Sequence, residues 1–283
     1  MEKQLVVADF DGTFSDAEKE GKPAVAGYIE DLCLLLGKNP EEVSPILQSA
    51  EIEIATNPEK NGWLCNGLIV APAMVDPYLR TMAVARKVLD HFGAFLDISD
   101  RERLLGFLYS NNYSLSDIVF KDGAGKMLSD LCAIEMVETY VVTNSHTESV
   151  RKKIIALSND NPGIEKMCER VIGGAKKYVV DGEAESMMIS GLYRPVYLRR
   201  PAYHDILERL RVMHGIEWKD ITVIGDIFEL DLALPFTRGA RIGLVINQFT
   251  PSYELDFIAA NPGRATLIHS LSEVVPFVMN REQ

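Results

Sequence analysis

The sequence predicts an α/β protein whose parallel-sheet core is interrupted early by a long helical block, and three observations carry that prediction. The apolar run Leu5-Val6-Val7-Ala8 ends directly in Asp9-Phe10-Asp11-Gly12-Thr13, as a buried strand ends at a loop. Roughly a hundred residues of helical patterning follow, with almost nothing that alternates as a strand does. Short apolar segments then resume with helical stretches between most of them, the pattern of parallel strands joined by crossover helices.

In chain order, the stretch from Ser15 to Lys22 is polar, and Val25 to Leu36 and Glu41 to Ile54 read as two helices parted by Gly37 and Pro40. The longest helical pattern is Val75 to Phe92, where Val75, Tyr78, Met82, Ala85, Leu89 and Phe92 recur on one face, a spacing that marks packing rather than a cofactor site. Arg101 to Tyr109 forms a further helix before an Asn111-Asn112 loop. Strands return at Thr139 to Val142, more weakly at Arg170-Val171-Ile172, then at Ile221 to Ile224 and Arg241 to Ile246. Tyr178-Val179-Val180 before Asp181-Gly182 carries a hairpin-turn signal, so 178–198 reads as a small β excursion. The organisation expected is a core of residues 1–15 and 120–283 and an inserted, mainly helical block of residues 16–119.

With 283 residues and 47% hydrophobic content, the chain can bury a core of one large or two modest domains. A net charge of -12 opposes approach to a polyanion, so nucleic acid is not an expected partner. Cys33, Cys65, Cys132 and Cys168 are scattered, without the close pairs of a zinc or redox motif. No apolar run is long enough to cross a bilayer, and the start of the chain enters a strand almost at once, so a cytoplasmic protein with no membrane partner is expected. Oligomeric state is not legible.

Three strand ends carry chemistry. Asp9 and Asp11 stand one residue apart at the first, where one could attack and the other move protons; alone, the pentapeptide also fits an Asp-rich turn. Thr143-Asn144 ends the second, and Ser145 to Glu148 has the form of a capping box at a helix start, a suitable place for phosphate. Gly225-Asp226, trailed by Glu229 and Asp231, ends the third, and with Asp9 and Asp11 would make an oxygen-rich site suited to Mg²⁺. A balancing cation is offered by Arg199-Arg200-Pro201 at a helix start, with Lys176-Lys177 as the competing pair. His146 and His204 read as helix-terminus residues rather than catalysts, and Trp63, Tyr78 and Arg80 as packing residues of the inserted block.

This ordered set, Asp9-x-Asp11-Gly-Thr, Thr143-Asn144, Arg200-Pro201, then Gly225-Asp226 with Asp231 behind, resembles the haloacid dehalogenase (HAD) superfamily. The resemblance covers about residues 1 to 15 and 120 to 270. It implies a Rossmann-like core, with the block after the first motif similar to a C1-type cap. It further implies Asp9 as a nucleophile that takes the phosphoryl group as an aspartyl-phosphate, and Asp11 as general acid and then base. Mg²⁺ would be held by Asp9, the Asp11 main-chain carbonyl and Asp226, with Asp231 as a ligand or just behind the ligands. Thr143 and the Asn144 backbone N–H would bind phosphoryl oxygens, and Arg200, where the family more often has lysine, would balance the charge. The reading is a phosphatase acting on a small phosphorylated metabolite; a phosphomutase, or a non-catalytic phosphate-binding protein on the same scaffold, are the alternatives.

Overall fold

The computed structural model describes residues 3–158, 161, 163–181 and 185–280. Two compact units divide the chain, Met1–Asp16 with Phe120–Gln283, and Ala17–Val119.

The first unit is built on a six-stranded sheet in which every pairing is parallel. Strand β1 (Gln4–Ala8) lies between β4 (Val137–Val142) and β8 (Ile221–Gly225); β5 (Val171–Ile172) flanks β4, and β9 (Arg241–Val245) and β10 (Ala265–Ile268) extend the other side. Every residue of β1 and β8 is buried, which is why both read as continuous apolar runs rather than alternating ones. Crossover helices include α5 (Ala124–Ala133), α6 (Thr147–Ser158), α7 (Pro201–His214) and α8 (Ala233–Arg238). Leu5, Val7, Tyr203, Leu207 and Phe228 pack in one hydrophobic cluster and Val6, Ala8, Phe10, Leu128 and Ile154 in another. Alternate residues of β1 therefore feed different clusters, as a strand with period two must.

Register places the chemistry. Ala8 is opposite Val141 on one side and Ile224 on the other. Because all three strands run parallel, the residues just beyond them, Asp9, Thr143 and Asp226, emerge together at the carboxyl end of the sheet.

The second unit contains α1 (Ala17–Leu36), α2 (Pro40–Thr56), α3 (Pro77–His91) and α4 (Ile98–Tyr113). Helix α1 starts at Ala17, within the stretch read as polar: Gly21 lets it approach α3 closely, since an added Cβ would sit 3.2 Å from Pro77 and Tyr78. The Asn111-Asn112 loop is instead the last turn of α4, where the buried Asn112 amide donates to Leu108 O and to Asp31. A hairpin, β2 (Gly62–Cys65) with β3 (Leu68–Pro72), also lies in this unit. Its Asn66-Gly67 turn has φ of 50° and 80°, a strong short-range hairpin signal that periodicity alone passes over.

In the 178–198 segment the β excursion is the antiparallel pair β6 (Ser186–Met187) and β7 (Val196–Tyr197). Tyr178 to Val180 is not a strand, and Gly182 of the expected turn lies outside the described residues.

Candidate active site

Asp9 follows β1 directly, its amide donating to Ile224 O at 2.8 Å, and its side chain is buried beside Asp226 and Asp231. One carboxylate oxygen from each of these three residues lies within 4.8 Å of the others. The chain turns away at Gly12, at φ +77°, where a Cβ would meet Asp226 Oδ2 at 2.1 Å. Glycine is required there on both counts.

Asp231 sits on a π-helical turn, Phe228–Leu232, that follows β8; such turns often mark functional positions. Ile227 N donates to Asp231 Oδ2, and Tyr203 Oη donates to the Asp231 carbonyl. On the same turn, Glu229 receives Arg194 through both oxygens at 2.7 Å and also Tyr253 Oη at 2.8 Å. Arg194 belongs to the segment joining β6 and β7, which is thereby tied to the element that holds Asp231.

The cation facing the aspartates is Lys177. Its ammonium donates to Asp9 Oδ1 at 2.6 Å and to Asp231 Oδ1 at 2.8 Å, and its side chain is 1% exposed. Arg200 does not occupy the balancing position: it is buried one layer behind and donates to the Lys177 carbonyl. The reason lies in the main chain. Asn144 Oδ1 accepts from Lys177 N at 2.8 Å, so the second strand end fixes the loop from which Lys177 reaches inward. Lys176, its neighbour, is exposed with φ 49°.

Electrostatics follow from this packing. Burial, opposed by Lys177 and reinforced by Asp231 and Asp11, raises the Asp9 carboxyl to about 7. Burial works against the Lys177 ammonium, but Asp231 and then Asp9 outweigh it and hold Lys177 protonated. Burial lowers the Arg200 guanidinium to about 10 against the pull of Glu229 and Asp231, leaving it charged near neutrality. Lys121 is lowered by burial, against the attraction of Asp226 and Asp16.

Asp11 points elsewhere. Its carboxylate is not in the three-residue cluster; Oδ2 accepts from Thr143 Oγ1 and Oδ1 from Lys153, each at 3.3 Å. Thr143 thus reaches the site, while the Asn144 side chain is spent on holding Lys177. Helix α6 begins at Thr147, and Glu148 pairs with Arg151, so Ser145 and Glu148 do not form the expected capping box. His146 is exposed and His204 faces the Trp218 ring. Tyr78 packs against Tyr109 and Tyr113, and Arg80 pairs with Glu18 at 2.7 Å, packing within their own unit as expected.

The three carboxylates can hold a hard divalent cation. They offer only oxygen, and burial, reinforced by the Asp231 and Asp11 carboxylates, pushes Asp9 towards its neutral form despite Lys177, a cost that a bound cation would relieve.

No family model and no curated protein matches the sequence. Solved structures do. A predicted phosphoglycolate phosphatase from Haemophilus somnus superposes with TM-score 0.56 at 15% identity over 99% of both chains. The HAD-hydrolase YfnB from Bacillus subtilis, in a magnesium-bound crystal form, gives 0.53 at 15% over 98% of this chain and 99% of its own. A haloacid dehalogenase-like protein from Streptococcus pneumoniae gives 0.52 at 12% over 97% and 98%. The chain has the haloacid dehalogenase fold.

Within that fold, the Rossmann-like core supplies all the strand ends described above, and the mainly helical block is inserted between β1 and β4. The Arg-Pro step at the start of α7, which drew attention to Arg200, is present but delivers a supporting guanidinium. Lys152-Lys153 reads in the sequence as an ordinary exposed helical pair; the available signal for Lys153 is its place in the second turn of α6, the helix that follows Thr143.

Proposed function

We propose that this protein is a Mg²⁺-dependent phosphoric monoester hydrolase that acts on a small phosphorylated metabolite in the cytoplasm, through an aspartyl-phosphate on Asp9. The observation that carries this reading is the convergence of Asp9, Asp11, Thr143 and Lys177 on adjacent parallel strand ends, with an attacking carboxylate and a separate proton-handling carboxylate.

In the first step Asp9 attacks phosphorus, the Asp9–phosphorus bond forms, and the bond to the ester oxygen breaks as Asp11 gives that oxygen a proton. In the second, Asp11 takes a proton from a water that attacks the same phosphorus, releasing inorganic phosphate and restoring Asp9. Lys177 offsets charge on Asp9 throughout and fixes its orientation, with Arg200 holding the Lys177 main chain from behind. Thr143 Oγ1 gives its one proton to Asp11 Oδ2, and its part in binding a phosphoryl oxygen would exchange that bond when the substrate arrives. Asp9, the Asp11 main-chain carbonyl and Asp226, with Asp231 alongside, would hold a Mg²⁺, which when bound would neutralise the phosphate oxygens. Nothing in the acidic set suits a soft metal.

A small substrate is the reading that a helical insertion of the C1 type would favour, because a cap that closes over such a site excludes bulk water and large groups alike. Phosphate release from a panel of small esters, with and without Mg²⁺, tests the reading. Release that needs Mg²⁺ and disappears in Asp9→Asn supports it; release undiminished in Asp9→Asn rejects it.

A further inference from the structure

We propose that Lys153 is a positioning residue that aims the Asp11 carboxyl at the leaving-group oxygen and so decides which alcohols the site expels. The inference rests on the phosphatase reading above.

Two elements grip Asp11, one on each oxygen. Thr143, just past β4, donates to Oδ2 and Lys153, on α6, donates to Oδ1, both at 3.3 Å. The Lys153 side chain is 12% exposed, while Asp11 remains 29% exposed and open to an incoming ester. The ammonium lies 5.7 Å from the centre of the fully buried Phe10 ring. That ring belongs to the residue between Asp9 and Asp11, so Lys153 is seated against the strand end itself. A solvated pair such as Lys126–Asp130, 78% and 44% exposed, has no such seat and fixes little.

The chemistry separates orientation from mere folding. When Asp9 bonds to phosphorus and the ester oxygen departs, an alkoxide needs the Asp11 proton, whereas a nitrophenolate leaves without it. Lys153 gives up no proton in either case. Mispointing Asp11 therefore penalises expulsion of an alkyl alcohol and spares expulsion of nitrophenolate, while the later hydrolysis of the phosphoenzyme, which also uses Asp11, is the same for both esters.

The experiment compares kcat/KM, which reports the steps up to departure of the alcohol, for an alkyl phosphate and for 4-nitrophenyl phosphate in the parent, Lys153→Met, Lys153→Gln and Lys153→Arg, each with its melting temperature. Proton transfer contributes about 10²–10⁴-fold, so a loosened acid should cost the alkyl ester ~10- to 100-fold and the nitrophenyl ester no more than about threefold. Lys153→Arg should recover most of the loss. In an Asp11→Asn background Lys153→Met should add nothing. Equal losses on both esters, no loss on either, or a full further loss in Asp11→Asn overturns the inference. If Lys153→Met does not fold, the Gln and Arg variants decide by the same ratio. A parent inactive on every ester overturns the phosphatase reading and this inference with it; an active parent with unchanged Lys153 variants overturns the inference alone.

Discussion

Lys177 Nζ lies 2.6 Å from Asp9 Oδ1, although Lys177 stands 23 residues before the Arg-Pro step that points to Arg200 as the cation. One ammonium serves two buried carboxylates, Asp9 and Asp231. Removing it leaves those charges uncompensated, which typically costs about 3–5 kcal/mol. Lys177→Met should therefore abolish phosphate release and lower the metal-free melting temperature. Arg200→Met should lose less activity, because its contact with the site runs through the Lys177 carbonyl. Phosphate release and thermal unfolding of the two variants, measured together, check the order; Arg200→Met as the more damaging change for turnover contradicts it.

Metal binding should depend on pH through Asp9. Its carboxyl is raised to about 7, so without metal it is largely protonated below that value and ionised above it. A divalent cation needs the ionised form. Mg²⁺ affinity, measured by calorimetry, should rise as pH is taken from about 6 to 8, with proton release that shrinks at the upper end. An affinity flat across that interval contradicts the assignment of Asp9 as a ligand.

Gly12 carries two constraints at one position. Gly12→Ala faces a backbone penalty of ~1–2 kcal/mol for its left-handed φ and a Cβ placed 2.1 Å from Asp226 Oδ2. The variant should fold with reduced stability and bind Mg²⁺ more weakly, because Asp226 must move. Calorimetry with Gly12→Ala at parental affinity would show that Asp226 is not a ligand.

Arg194 should matter for stability although it touches none of the proposed reacting groups. Its paired hydrogen bonds satisfy Glu229, which is 1% exposed. Arg194→Met takes both of those hydrogen bonds from the buried carboxylate, and breaking such a pair costs about 3–5 kcal/mol. Urea unfolding should show the loss, and Glu229→Gln in the same background should return part of it. The double variant unfolding no later than Arg194→Met would contradict the charge argument.

The strand ends were legible because each couples an apolar run to the residue that follows it: Leu5 to Ala8 with Asp9, Tyr140 to Val142 with Thr143, Ile221 to Ile224 with Gly225-Asp226. Parallel register then does the rest, since it aligns those ends without any further signal. Lys177 was harder to choose, because its place depends on a hydrogen bond from its main chain to Asn144 Oδ1, a contact between residues far apart in sequence. Strand β10, four residues beside Pro262-Gly263, and the two-residue strands β6 and β7 are too short for periodicity to reveal. The β2–β3 hairpin did carry a local signal in Asn66-Gly67, outweighed by the helical patterning around it.

The most direct test of the account is where the phosphoryl group goes. Asp11→Asn should retain attack on 4-nitrophenyl phosphate, which needs no proton, while slowing release from the enzyme. Acid quenching during turnover, followed by mass spectrometry of the peptides, should find a phosphoryl group on Asp9, and none after Asp9→Asn is added. Nitrophenol formed with the label on another residue, or with Asp9→Asn as active as its parent, would contradict nucleophilic attack by Asp9.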